Sequence, residues 1–234
     1  MKKSIPLIFS LLFLLNNAFA QVGTVKDVDE YLKRYLDKIP VPGFSIVIVE
    51  GQEVKFAKGY GVESQGLSKR MTPQSTMAIG SLARGFTAIA VMQLVEEGLV
   101  DLDEPIVSYL PWFQTANKDF SDQITLRMCL SNTSGIPPQY ESLPDLENAT
   151  SAESFLRSLK GAFIKRKPGM SHEFCDEGYA IAGEVISSVS GMSYSEYVAS
   201  NILRPLKMTR TAAEQEVADQ MNIVYGHEMG KDQC

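Results

Sequence analysis

The chain has 234 residues, 44% of them hydrophobic and 21% charged, with a formal net charge of −6. Such a composition excludes a disordered, fibrous or low-complexity protein and leaves room for a sizeable core in one domain or a domain of two lobes. The acidic balance argues against nucleic acid as a partner. The one basic cluster, Lys165-Arg166-Lys167, reads as a solvated turn before Pro168-Gly169.

Residues 1–20 read as a secretory signal: Lys2 and Lys3, an apolar run over residues 7–15, then Ala18-Phe19-Ala20 before Gln21. The run is short for a membrane anchor, and no cysteine follows it to carry a lipid. No later stretch is long enough to cross a bilayer. The expectation is an exported protein, periplasmic or extracellular, with no stable membrane insertion after cleavage. Residues 21–234 then form the domain.

Hydrophobic periodicity predicts a helix over residues 25–38, with Val28, Tyr31, Leu32, Tyr35 and Leu36 on one stripe. Pro40-Val41-Pro42-Gly43 ends it. Residues 44–50 and 53–58, joined at Gly51-Gln52, predict a β-hairpin. Residues 64–73 are polar loop. Residues 81–97 predict a helix stopped by Gly98, apolar on most faces and therefore expected to be buried all round. A turn and short helix follow over 99–110. Further helices are expected over 124–130, 152–159, 178–190 and 194–203, with a loop at 137–150 and a break at Gly191.

Three cysteines, Cys129, Cys175 and Cys234, leave at least one thiol unpaired. Cys129 reads as a buried thiol, and a Cys129–Cys175 bridge is an open alternative. The two histidines, His172 and His227, fall in polar loop sequence. There is no metal-ligand spacing, so neither metal nor cofactor is expected.

The chemistry-bearing stretch is Ile79-Gly80-Ser81-Leu82-Ala83-Arg84, leading into Phe86-Thr87. A serine at a helix N-terminus has backbone N–H groups and the helix dipole at hand to favour an oxyanion. The same serine could instead be only a helix cap. Arg84 stands one turn on. A lysine there can lose its proton when buried and then accept one from the serine. An arginine keeps its charge and cannot.

Together these motifs resemble the serine β-lactamase and penicillin-binding-protein-like family, in its class C, D-alanyl-D-alanine carboxypeptidase and esterase branch. The resemblance runs in order from about residue 43 to 211. Gly59-Tyr60-Gly61 closes the hairpin. Ser81 and Phe86-Thr87 match the nucleophile helix. Leu102-Asp103-Glu104-Pro105 and Tyr109-Leu110-Pro111 follow. Thr133-Ser134-Gly135 matches a His-Thr-Ser-Gly turn with Asn132 in place of histidine. Pro168-Gly169 and Gly178-Tyr179 frame the second motif, and residues 191–194 and 205–209 resemble the closing helices.

The resemblance implies an α+β, β-lactamase/transpeptidase-like fold: a mostly helical lobe with an incomplete antiparallel sheet, here the N-terminal hairpin only. It places Ser81 at the nucleophile position and Arg84 at the position of the lysine base. Phe174 falls at the position of the proton-relaying tyrosine, and Asp176 at that of the substrate-orienting asparagine. A third, Lys-Thr-Gly-like motif would lie beyond Cys234. Arg84 and Phe174 roughly keep bulk while removing a titratable proton carrier, so impaired catalysis is expected. The alternatives are a weakly active serine hydrolase working through Ser81, with Asp176 or water as base, and a non-catalytic module binding a peptidoglycan peptide or protein. The ligands implied for the cleft are a β-lactam, a D-Ala-D-Ala peptide or an ester. The free hairpin edge offers pairing to another strand.

Overall fold

The computed structural model describes residues 25–36, 38, 41–63, 68–138, 151–221 and 223–224. The expected signal sequence, Cys234, His227 and most of the expected 137–150 loop lie outside them. The described residues fall into two compact units. One runs to Met77 and takes in Val224; the other spans Ala78–Ile223.

The first unit carries helix α1 (Val25–Leu36) and the hairpin of β1 (Gly43–Glu50) and β2 (Glu53–Gly61). The strands are antiparallel, with Phe44 opposite Tyr60 and Val49 opposite Val54, and a register irregularity falls between Ile48 and Val49. Gly51 turns the chain at φ +62°, a conformation that favours glycine. The α1 stripe is narrower than its sequence suggests. Val28, Leu32 and Leu36 are half-buried, whereas Tyr31 and Tyr35 are exposed and stack on each other at 6.0 Å. Two further strands of two residues each, β3 (Thr76–Met77) and β4 (Ile223–Val224), lie outside the hairpin's sheet.

The second unit is helical. A 3-10 turn (Gly80–Ala83) leads into α2 (Arg84–Glu96), followed by α3 (Ile106–Tyr109), α4 (Lys118–Ser121), α5 (Leu126–Leu130), α6 (Ala152–Ser158), α7 (Asp176–Ser190), α8 (Tyr194–Val198) and α9 (Gln215–Asp219). Polar caps start several of these. Thr125 accepts from the Met128 amide, and Ser151 and Ser193 each form a capping box. Gly191, at φ +70°, ends α7. Leu94, Ile106, Ile124, Leu126, Leu156, Ile181 and Ile186 form the centre of one continuous core. No described helix is long and apolar enough to cross a membrane.

One expectation is corrected. Helix α2 is buried on one face only, through Thr87, Ala90, Val91 and Leu94. Off that face Ile89 is 48% exposed and Met92 43%, and Leu82 in the preceding 3-10 turn is 76% exposed. All-round apolarity shows what a helix is able to bury; the neighbours decide how much of it is covered.

Candidate active site

The turn that bears Ser81 begins with Gly80 at φ +53°, where a Cβ would meet nothing within 4 Å. The glycine is therefore there for its backbone angle, not for space. Ser81 is exposed. It caps neither helix: the residues at the cap positions are Ile79 for the 3-10 turn and Ala83 for α2, and neither makes a side-chain cap bond. The capping alternative for Ser81 is thus not what the structure shows.

Arg84 is the first residue of α2, and its side chain is 15% exposed. Its guanidinium donates to Asp176 Oδ1, the first residue of α7. It also lies 4.0 Å from the centre of the Phe174 ring and 5.1 Å from that of Tyr179. A carboxylate and two aromatic faces thus surround the cation. An anion at the start of α7 is favourable toward that helix's dipole, and the cation at the start of α2 is balanced by it.

The 169–176 segment is aimed by the turn at residues 132–135. Asn132 adopts φ +56°, which asparagine tolerates better than most residues. Its carbonyl accepts from the Glu173 amide at 2.8 Å, and its side-chain Oδ1 accepts from the Cys175 amide at 3.2 Å. The Thr133 carbonyl accepts from the Gly169 amide at 2.8 Å. Helix α7 then docks tightly on α5: a Cβ on Gly178 would lie 2.9 Å from the Cys129 carbonyl oxygen. The Tyr179 hydroxyl donates to the Leu130 carbonyl at 2.9 Å.

Cys129 and Cys175 are both buried and free, so the bridged alternative is not the one seen. Burial pushes the Cys129 thiol up to about 12. Cys175 donates to the buried Glu177 carboxylate at 3.0 Å, and burial followed by that acceptor raises it further. Neither is a thiolate nucleophile at neutral pH.

A cleft of about 780 Å³ opens beside these groups, lined among others by Ser81, Arg84, Thr87, Asp176, Glu184 and Tyr194. Three of its features escaped the sequence reading. Tyr179 is the third wall around Arg84. Thr87 is hydrogen-bonded to the Tyr194 hydroxyl at 2.8 Å. Glu184 has its carboxyl raised by burial, then by Glu153, with Arg157 opposing. Helical spacing was the available signal. Thr87 follows Arg84 by three residues, and Tyr179, Gly183 and Glu184 follow Asp176 by three, seven and eight.

Of the four residues singled out from sequence, the structure joins Arg84, Phe174 and Asp176 into one cluster and places Ser81 with Arg84 and Asp176 along the cleft. The cluster holds a cation already engaged by its acceptor. It offers an anion-stabilising charge, and neither Arg84 nor Phe174 supplies a neutral amine or a phenol.

This helical lobe, with a serine turn opening onto its cleft, defines a β-lactamase/transpeptidase-like fold. The chain belongs to the beta-lactamase family, whose model, described as Beta-lactamase, matches residues 28–233. It is 28% identical over 205 residues to Protein flp of Staphylococcus aureus (strain MRSA252), covering 87% of this chain and 41% of that protein. It is 31% identical over 202 residues to the Teichoic acid D-alanine hydrolase of Staphylococcus aureus, covering 86% of this chain and 47% of that one. Among solved structures, the octameric penicillin-binding protein homologue from Pyrococcus abyssi superposes with a TM-score of 0.73 at 29% identity, over 90% of this chain and 49% of that one. The chain thus spans less than half the length of these curated relatives. Its relatives are serine hydrolases.

Proposed function

We propose that this chain is an exported serine-hydrolase-family protein that keeps the substrate cleft and has lost most of its turnover. The observation that carries the reading is the engagement of Arg84: its guanidinium is bonded to Asp176 and stacked on Phe174. A base at that position has to shed a proton, which arginine does not do. Phe174 has no hydroxyl to relay one. Asp176, as a substitute base, is tied up by the guanidinium. Losing members of a catalytic unit costs several orders of magnitude in rate.

The test is acylation and turnover with a chromogenic β-lactam and a simple ester on the purified protein. The expected result is no turnover that depends on Ser81. Hydrolysis that disappears in Ser81→Ala overturns the reading. Arg84→Lys combined with Phe174→Tyr sharpens it, with labelling of Ser81 by a penicillin probe expected to rise at least about 10-fold. Export is tested on material from the native host, by mass spectrometry of the N-terminus, which is expected at Gln21.

The charge of the cleft supports a ligand class as well. Arg84 is offset by Asp176, while Glu184 and Glu214 add negative charge to the lining. That balance suits an amine-bearing acyl group better than a free carboxylate. A D-alanyl ester has this chemistry, and one relative is named for removing D-alanine from teichoic acid. In calorimetric titration, D-alanine methyl ester is expected to bind more tightly than N-acetylated D-alanyl-D-alanine. The reverse order would instead make Arg84 a group that binds a substrate carboxylate.

A further inference from the structure

Residues 160–172 contain Lys160, Lys165, Arg166 and Lys167 and no acid, in a chain whose net charge is −6. Lys165, Arg166 and Lys167 are exposed before a turn at Pro168-Gly169, as expected, but the backbone that carries them is held to the core. Ala162 and Ile164 are each 2% exposed, and Pro168 is buried. The Ala162 carbonyl accepts from the Ala116 amide at 3.0 Å, the Gly169 amide donates to Thr133 at 2.8 Å, and the Met170 amide donates to Lys167 at 3.1 Å. A Cβ on Gly135 would lie 2.9 Å from the Arg166 carbonyl oxygen. Ala162, Ile164 and Pro168 thus hold the backbone to the core, and Phe163, Lys165 and Lys167, which alternate with them, are exposed as in an extended chain. Arg166 and Met170 are exposed as well, the latter after the turn at Pro168-Gly169.

Two of the outward side chains are large and apolar: Phe163 is 66% exposed and Met170 72%. The four cations are exposed too. None of the four makes an ion pair with a described residue, whereas Arg84, Lys118, Arg127 and Arg157 are each paired with a carboxylate. The nearest acid along the chain is Glu173, exposed and three residues past Met170.

We propose that the face formed by Phe163, Lys165, Arg166, Lys167 and Met170 docks on an anionic lipid bilayer. Charge complementarity supplies the attraction: lysines and arginines with no ion pair among the described residues bind anionic headgroups. The apolar pair selects a bilayer over a soluble polyanion, because Phe and Met gain only where there is an apolar phase to enter. This is adsorption at the interface, with no spanning segment. It would hold a protein of acidic net charge on a like-charged surface in one orientation, and it is independent of any chemistry at Ser81.

The experiment is vesicle co-sedimentation with the chain from Gln21 onward, which contains every described residue and omits an apolar run that would bind lipid by itself. The vesicles are phosphatidylcholine alone, or phosphatidylcholine with an equal part of phosphatidylglycerol. Binding is expected only to the second and to weaken as salt rises. Replacing Lys165, Arg166 and Lys167 together by glutamine is expected to lower partitioning about 100-fold. Phe163→Ser with Met170→Ser leaves the charge unchanged and is expected to lower it at least about 10-fold. Melting curves confirm that both variants fold. Should the serine pair fail to fold, Phe163→Trp serves instead, its fluorescence shifting to the blue on anionic vesicles. No sedimentation of the wild type with anionic vesicles overturns the proposal. So does wild-type binding by the serine pair, or an unshifted Phe163→Trp spectrum; either would make the face a site for soluble polyanions.

Discussion

The two units of this chain are held together by different chemistry. In the helical unit, aliphatic side chains from α2, α3, α5, α6, α7 and α8 form one apolar core. In the hairpin unit, Tyr60 and Met71 are the buried apolar residues among those described. The joint there is polar. Asp29 on α1 accepts from the Lys58 ammonium and the Tyr60 hydroxyl, both at 2.6 Å, and pairs with Lys33 at 2.8 Å. These partners, Lys33 foremost, hold the Asp29 carboxyl well below the usual carboxylate range. Burial, then Asp29 itself, pushes the Tyr60 phenol up to about 12. A small unit with little to bury relies on a charged hub, whereas a larger one relies on apolar area. The first should respond to pH and salt, the second to cavities.

The sharpest break in that comparison is Leu94→Ala in the helical core. Leu94 is 1% exposed, and removal of a buried leucine side chain costs about 2–5 kcal/mol. Denaturant unfolding followed by circular dichroism at 222 nm checks it. A loss below about 1 kcal/mol would mean that this core is not packed as described.

Gly178→Ala comes next. The added methyl would press on the Cys129 backbone, where nothing flexible can yield. A cost of about 1–3 kcal/mol is expected, reduced by the better helix propensity of alanine. Because Gly178 sets how closely α7 approaches α5, the same variant should displace Asp176 relative to Arg84. Unchanged stability would show that the two helices can separate freely.

The smallest effect on the whole molecule, and the most selective, is Asp29→Asn. Amide exchange is expected to speed up in α1 and β2 and to stay unchanged in α7. The pH dependence has a definite sign. A carboxyl lowered by folding stabilises fully above its unfolded value near about 4 and loses that contribution as pH falls through its lower folded value. The hairpin unit of the wild type should therefore loosen in acid, in hydrogen exchange, before the protected core of α7. In Asp29→Asn that acid-dependent step should be missing. Equal acid sensitivity in the two proteins would remove Asp29 from its role.

Much of the frame was legible residue by residue. The hairpin followed from β-branched residues on either side of Gly51. The end of α2 followed from Gly98, and the end of α7 from Gly191. Thr125 and Ser193 mark helix starts through side chains that find backbone amides within one turn. What escaped was short or long-range. Helix α4 is four residues long, too brief for a periodicity, and Tyr179 meets Arg84 only because Gly178 lets α7 sit against α5. The expected full burial of α2 failed because periodicity carries no information about which neighbour is present.

By itself, the sequence determined the local conformations, the order of motifs that marks the family, and the presence of Arg84 and Phe174, two side chains that carry no transferable proton near neutral pH. These depend on side-chain chemistry and on bonds within one turn, which adjacent residues specify. The tertiary structure alone decided that these two residues meet. It stacks Arg84 on Phe174 and bonds it to Asp176, 92 residues away in the chain. Such a contact exists only because the Asn132 turn and the Gly178 packing bring the starts of two helices together, and a distance through space is not written in any local stretch.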